Sequence, residues 1–255
     1  MILFCRHYGN HPQTLIVLHG LFGQSDNWTS LARRWSDMFT VITPDQRNHG
    51  QSPQSDDFNY SLMADDLKET VDALGIRSFA LLGHSMGGKT AMLFAQKYPQ
   101  YLKKLIVADI APRYYAPHHT EIIDALKGLN LKEINDRQTA DVELAKAIKE
   151  PSTRQFLLKN LYRKQDNSFA WRFNLSAISS NIQEVGAALP ESKVNINTLF
   201  LRGETSNYIQ TSDEAAIRQH FPNSEIQTIP KAGHWLHAEQ PLAFSDAVLQ
   251  FLALD

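Results

Sequence analysis

Leu81-Leu82-Gly83-His84-Ser85-Met86-Gly87-Gly88 is the stretch that decides the fold of this chain. Ahead of it, Ser78-Phe79-Ala80-Leu81-Leu82 is a short apolar run suited to a buried strand. Behind it, Thr90 to Tyr98 continues as a helix. Gly83-His84-Ser85-Met86-Gly87 between them fits the pattern Gly-x-Ser-x-Gly. A serine on a sharp turn from strand to helix is the setting of a nucleophile elbow, whose strained backbone holds the hydroxyl out at the strand's end. Gly83 and Gly87 have no Cβ, so strand and helix can approach closely around that turn. The plainer reading is a Gly-rich turn whose serine caps the helix.

Further strand signals flank the turn. Ile2 to Arg6, Thr14 to His19, Phe39 to Thr43, Lys104 to Asp109, Asn197 to Leu201 and Glu225 to Ile229 all read as strands. Thr14-Leu15-Ile16-Val17-Leu18-His19 is apolar almost throughout, as expected of a strand covered on both faces. Helical spacing runs from Leu62 to Leu74, where Gly75 ends it, and again over Ser212 to His220 and Pro241 to Leu252. Strands alternating with helices predict an α/β fold with a mostly parallel, doubly wound sheet. The alternation stops between about Pro112 and Glu191, which is charged and helix-prone. The expectation is therefore a core of residues 1–111 and 192–255 and a helical cap over 112–191. An insertion of this kind, following the C-terminal end of a strand, covers the crevice where such sheets bind ligands.

Composition narrows the class. The 255 residues suit one α/β domain with an insertion, and 43% hydrophobic with 20% charged residues suits a globular, soluble protein. A net charge of −2 gives no reason to expect nucleic acid or an anionic membrane as partner. The single cysteine, Cys5, has no internal disulfide partner, and no Cys/His spacing suits a metal. Arg6 interrupts the first apolar residues before a signal peptide can form, and no apolar run reaches membrane-spanning length. A cytoplasmic protein with no cofactor and no metal is expected.

A serine hydroxyl becomes a good nucleophile only when a base takes its proton. His234 follows the last strand in Pro230-Lys231-Ala232-Gly233-His234-Trp235, on the sheet edge where Ser85 also lies, and is the expected general base and then acid. His237 is expected to be structural. His19 and His84 border the oxyanion turn and the nucleophile and are expected to orient backbone.

Ser85, His234, His19-Gly20-Leu21-Phe22-Gly23 and Asp45-Gln46-Arg47-Asn48-His49-Gly50-Gln51-Ser52 together resemble the α/β-hydrolase superfamily. Asn48 stands where most members have glycine. With Gly-His-Ser-Met-Gly-Gly-Lys at residues 83–89, the chain is similar over essentially its whole length to the small YbfF-like esterases and the ABHD11-type hydrolases. That resemblance implies the α/β-hydrolase fold and acyl-transfer chemistry. In most of the superfamily the third catalytic residue follows the penultimate strand as Gly-x-x-Asp. Here the segment is Gly203-Glu204-Thr205-Ser206, and a serine carries no charge to hold an imidazolium. Asp109 ends the strand after the nucleophile strand. If those strands are neighbours, roughly 4.8 Å separates them, and a carboxylate there reaches the far edge of the imidazole. Asp109 is the expected acid and Glu204 the alternative, since both keep the order serine, acid, histidine. Ser206 is expected to support the Asp109–His234 pair.

Acyl transfer also needs donors for a tetrahedral oxyanion. The N–H of Met86 opens the helix after the nucleophile, where the helix dipole assists. The resemblance places the second donor after His19-Gly20, at Leu21 or, failing that, Phe22. The polar stretch Asp45 to Ser52 is read as a loop held by its own hydrogen bonds, and Phe169 to Leu175 as core of the cap. The expected activity is cofactor-independent hydrolysis of a small-molecule carboxylic ester or thioester through an acyl-enzyme. C–C bond hydrolysis or lyase chemistry on the same residues is the alternative, and a non-catalytic binding member of the fold the third. Ser85 disfavours the dehalogenases and epoxide hydrolases, which use an aspartate nucleophile.

Overall fold

Strands that are apolar on both sides need two covering layers, and the computed structural model, which describes residues 1–117 and 119–253, supplies them. Its strands are β1 (Cys5–Tyr8), β2 (Thr14–Leu18), β3 (Thr40–Pro44), β4 (Phe79–His84), β5 (Leu102–Ala108), β6 (Leu161–Arg163), β7 (Phe169–Trp171), β8 (Thr198–Gly203) and β9 (Ser224–Ile229). Among the described residues, seven of these form one sheet in the order β1-β3-β2-β4-β5-β8-β9, in which only β1 runs antiparallel to its neighbour. It begins at Cys5, later than the expected start at Ile2, with Cys5 opposite Pro44.

Successive side chains of a strand point to opposite faces, and the two cores follow that alternation. Ile16, Leu18, Leu81, Leu105, Val107 and Phe200 pack on one face with Met63 and Leu67 of α2 (Tyr60–Ala73), Met92 and Phe94 of α3 (Met86–Lys97), and Ile217 further along. Leu15, Val17, Leu82, Ile106, Leu199 and Leu201 pack on the other. They meet Leu31 and Trp35 of α1 (Thr29–Trp35) and, at the chain's end, Phe244 and Val248. The winding reverses between β2 and β4, so the C-terminal ends of these two strands border the crevice where doubly wound sheets bind ligands.

Between β5 and β8 the chain forms α4 (Thr120–Gly128), α5 (Arg137–Leu144), α6 (Pro151–Leu158), the hairpin β6–β7, α7 (Leu175–Ser180) and α8 (Ile182–Gly186). The hairpin departs from the all-helical expectation for this stretch. It pairs Leu161 with Trp171 and turns at Asn167, which takes the left-handed φ of 65° that asparagine tolerates. Three-residue strands are too short for a period-2 pattern to stand out from the helical leucines before them. Phe169 and Phe173 are buried there. The last layer is α9 (Glu214–His220), α10 (Leu236–Glu239) and α11 (Pro241–Ala253).

The segment leaves and rejoins the sheet at a narrow neck. Leu189 donates its N–H to Pro112 O (2.8 Å) and Tyr115 donates to Gly186 O (2.8 Å). Lys89, fully buried on α3, donates from Nζ to Arg113 O (2.6 Å) and to Ala187 O, one carbonyl on each side of that neck. Burial, with the Arg113 charge nearby, pulls its ammonium down to about 7.

Candidate active site

The turn after β4 puts Ser85 at φ 54° and ψ −118°, a conformation L-residues rarely take. Its neighbours make that turn feasible. A Cβ on Gly83 would strike the backbone of Gly87, and one on Gly87 would lie 2.6 Å from His19 O and 2.7 Å from Leu18 O. Although Ser85 precedes α3, its side chain makes no capping hydrogen bond. The Oγ lies instead 3.0 Å from His234 Nε2.

His234 follows β9, on a loop whose Gly233 N–H donates to Glu239 Oε2 (2.7 Å) and whose Lys231 has φ 57°. Its Nδ1 is 2.8 Å from Asp109 Oδ2. Since β5 and β8 are neighbours in the sheet and end at the same edge, Asp109 also reaches the loop after β8. Gly203 N–H donates to its Oδ1 (3.1 Å), and the Ser206 hydroxyl donates to its Oδ2. Asp109 is completely buried and sits at φ 53°. Burial raises its carboxyl to about 6, with the Ser206 and Gly203 donors pulling the other way. The structure thus brings Ser85, His234 and Asp109 into one hydrogen-bonded row. Glu204 lies outside it, its carboxylate accepting the Lys231 N–H at 2.7 Å.

The buried histidines packed around this row are held neutral. His19 Nδ1–H donates to Gly20 O (2.8 Å), and its Nε2 accepts the Gln46 N–H (2.9 Å). Burial lowers it to about 4. His84 Nε2–H donates to His234 O (2.8 Å), fixing the backbone that carries the imidazole, and burial lowers it to about 3. His237 stacks on Trp28, with ring centres 4.5 Å apart, and burial holds it well below its ordinary value.

Of the two candidate oxyanion donors near Gly20, one is engaged. Phe22 N–H donates to His49 Nε2 (3.1 Å), while His49 Nδ1–H donates to Arg47 O (2.9 Å). Leu21 and Met86 both stand beside Ser85 in the lining of the smaller cavity described next. The Asp45 to Ser52 loop is tied by similar bonds. Asp45 accepts from the N–H of Ser25 (2.6 Å) and of Gln51 (2.8 Å), and Arg47 forks onto the buried Asp66 at 2.6 and 2.9 Å. Asn48 has φ 64°, which explains an asparagine where glycine is usual.

Two cavities open from Ser85. The larger, about 270 Å³, has Phe22, Trp28, Phe156, Trp235 and His237 in its wall; the smaller, about 30 Å³, has Met86, Ile110, Tyr60 and Val185. Both include Leu21, His119 and Tyr208. Phe156 of α6 faces Trp235 with ring centres 5.8 Å apart, so the inserted segment forms part of the larger cavity's wall. Leu161 lines neither cavity and is buried inside that segment. Tyr208 is a residue that sequence reasoning passed over. Its ring lies on the His234 imidazole at 3.7 Å and 14°, and Tyr115 at the neck stacks behind it at 5.6 Å. No motif marks it; only its place two residues after Ser206 hints at the acid loop.

Residues 13–241 match the family model of the α/β-hydrolase fold. The chain is similar to the mouse sn-1-specific diacylglycerol lipase ABHD11, at 41% identity over 94% of this chain and 80% of that protein. It is also similar to esterase YbfF of Escherichia coli K12, at 33% identity over 96% and 94% of the two chains. Among solved structures, a marine microorganism esterase superposes with a TM-score of 0.96 at 43% identity, covering 98% of this chain and 99% of that one.

Proposed function

This chain belongs to the α/β-hydrolase fold family, among its esterase- and lipase-named members, and on that premise we propose that it is a serine hydrolase of carboxylic esters or thioesters. The observation that carries the reading is the unbroken row from Ser85 Oγ through the two imidazole nitrogens of His234 to Asp109. His234 Nε2 takes the Ser85 proton as Oγ attacks the acyl carbon, then gives it to the leaving oxygen or sulfur. Asp109 holds Nδ1–H, which fixes the tautomer and stabilises the imidazolium. The N–H groups of Met86 and Leu21 receive the oxyanion, because the Phe22 N–H is already held by His49. Water repeats the sequence on the acyl-enzyme. His19 and His84 act as neutral positioning residues for the oxyanion loop and for His234.

Residues 112–191 act as a cap on a core made of 1–111 and 192–255, with Lys89 fastening the neck. The Cys5 thiol, pushed up to about 12 mainly by burial, is unreactive, and a reducing cytoplasm suits a lone cysteine with no disulfide partner in the chain. The test is labelling with a serine-directed fluorophosphonate, followed by peptide mapping. Label on Ser85, together with ester turnover that the label abolishes, supports the proposal. Ester turnover that survives full labelling of Ser85 refutes it.

A further inference from the structure

The two cavities at Ser85 differ about ninefold in volume, and their walls differ in which part of the reaction they face. Resting on the ester-hydrolase reading above, we infer that the enzyme takes acetyl or propionyl esters and thioesters with a large, aromatic-compatible leaving group. The small cavity holds the acyl chain and the large one the leaving group.

The assignment follows from the directions that chemistry imposes on a tetrahedral centre at Ser85 Oγ. As the Oγ–C bond forms, the carbonyl oxygen becomes the oxyanion and turns to the N–H groups of Met86 and Leu21. The C–O or C–S bond that breaks must face His234 Nε2, since the imidazolium there returns its proton to the departing atom. The acyl chain takes the remaining direction. His84, His234, Trp235 and His237 line only the large cavity, so the leaving group lies there. Met86, Ile110, Tyr60 and Val185 line only the small one, behind the oxyanion donor at Met86.

Size then sets the class. About 15 Å³ of such space is needed for one water-sized group, and a methyl or methylene is no smaller, so 30 Å³ holds about two heavy atoms beyond the reacting carbon, the length of a propionyl chain. The wall on the side of Tyr60, Val185 and Tyr115 is tied in place. Tyr60 Oη donates to Val185 O (2.6 Å), Tyr115 Oη donates to Tyr208 O, and Gly186 sits so close to Tyr115 O that a Cβ there would strike it. The 270 Å³ cavity has Phe156 and Trp235 as aromatic faces for a ring-bearing leaving group.

The experiment is a two-way panel of kcat/KM. One series fixes p-nitrophenol and lengthens the acyl chain from acetate through propionate and butyrate to hexanoate and octanoate. The other fixes acetate and compares ethyl with benzyl esters, whose alcohols differ little in acidity. A drop of tenfold or more from propionate to hexanoate is expected, because one misplaced methylene in a tight pocket costs about tenfold or more. Benzyl acetate is expected to exceed ethyl acetate by at least tenfold. Val185→Ala should move the acyl cut-off by one or two carbons and leave the benzyl-to-ethyl ratio alone. Phe156→Ala should lower that ratio and leave the acyl profile alone. Hexanoate turned over as fast as acetate overturns the inference, as does an acyl profile that follows Phe156 rather than Val185. A folded protein that hydrolyses no ester, or a Ser85→Ala variant that still does, overturns the underlying hydrolase reading instead.

Discussion

Replacing Asp109 by asparagine tests catalysis and stability in opposite directions. The amide keeps the shape of the carboxylate but cannot hold His234 Nδ1–H by charge, and it can present its NH₂ to that nitrogen and favour the wrong tautomer. The same change in a serine protease costs about 10⁴ in kcat, and a loss of that order is expected here. Stability should move the other way. Burial raises the Asp109 carboxyl from 3.8 to about 6, a difference worth about 3 kcal/mol at 1.36 kcal/mol per pH unit. Between those values the folded protein binds the proton and the unfolded chain does not. The contribution of Asp109 to stability is therefore greatest below 3.8 and declines as pH rises to about 6. The substituted amide has no such proton. The stability of the Asp109→Asn variant relative to wild type should thus improve by up to about 3 kcal/mol from pH 4 to pH 7, or about 6–12 °C in Tm for a chain of this size. Wild-type turnover should also fall as pH drops through about 6, since a neutral Asp109 cannot support an imidazolium. The assays are ester hydrolysis and thermal melts at both pH values, with Glu204→Gln alongside as the variant expected to lose under tenfold, by contrast with that figure. A dead Glu204→Gln beside an active Asp109→Asn refutes the acid assignment. A stability gap that widens against the Asp109→Asn variant as pH rises refutes the account of burial, and would mean that the partners of Asp109 stabilise its ionised carboxylate.

Other perturbations have equally direct readouts. Ser85→Ala should lower kcat by about 10⁶ with an unchanged melt, and activity within tenfold of wild type removes Ser85 as nucleophile. Tyr208→Ala should cost about 10²-fold in kcat by letting the His234 ring shift, whereas Tyr208→Phe keeps the stacked face and most of the rate; equal loss in both would assign the effect to the hydroxyl. Arg47→Ala leaves Asp66, 2% exposed, without its fork and should destabilise by about 3–5 kcal/mol in urea unfolding, toward the lower end because the Met1 ammonium also pairs with Asp66. Activity per folded molecule should change little, and a large loss of kcat in fully folded Arg47→Ala would place that loop in the chemistry.

The elbow, the strand alternation and the histidine after the last strand are legible in sequence because each rests on local rules. A buried strand must be apolar, a strained turn must have glycine beside it, and a base must lie on the loop edge where strands end. Asp109 is reachable only by way of strand adjacency, which sequence order does not state. The sheet decides it by placing β5 between β4 and β8, so that the carboxylate meets both His234 and the Gly203–Ser206 turn. The engagement of Phe22 N–H by His49, the carbonyl clamp of Lys89 and the Tyr115–Tyr208–His234 stack join residues 24 to 98 positions apart. No pattern along the chain encodes such contacts, since they arise when separate elements pack. The hairpin β6–β7 escapes because its strands are too short to show a period, and the division into a small and a large cavity because a volume is the space left between elements. Sequence by itself determined the fold class and placed a serine on the strained turn after a strand; only tertiary packing decided which carboxylate faces the His234 imidazole and how much room lies on each side of that serine.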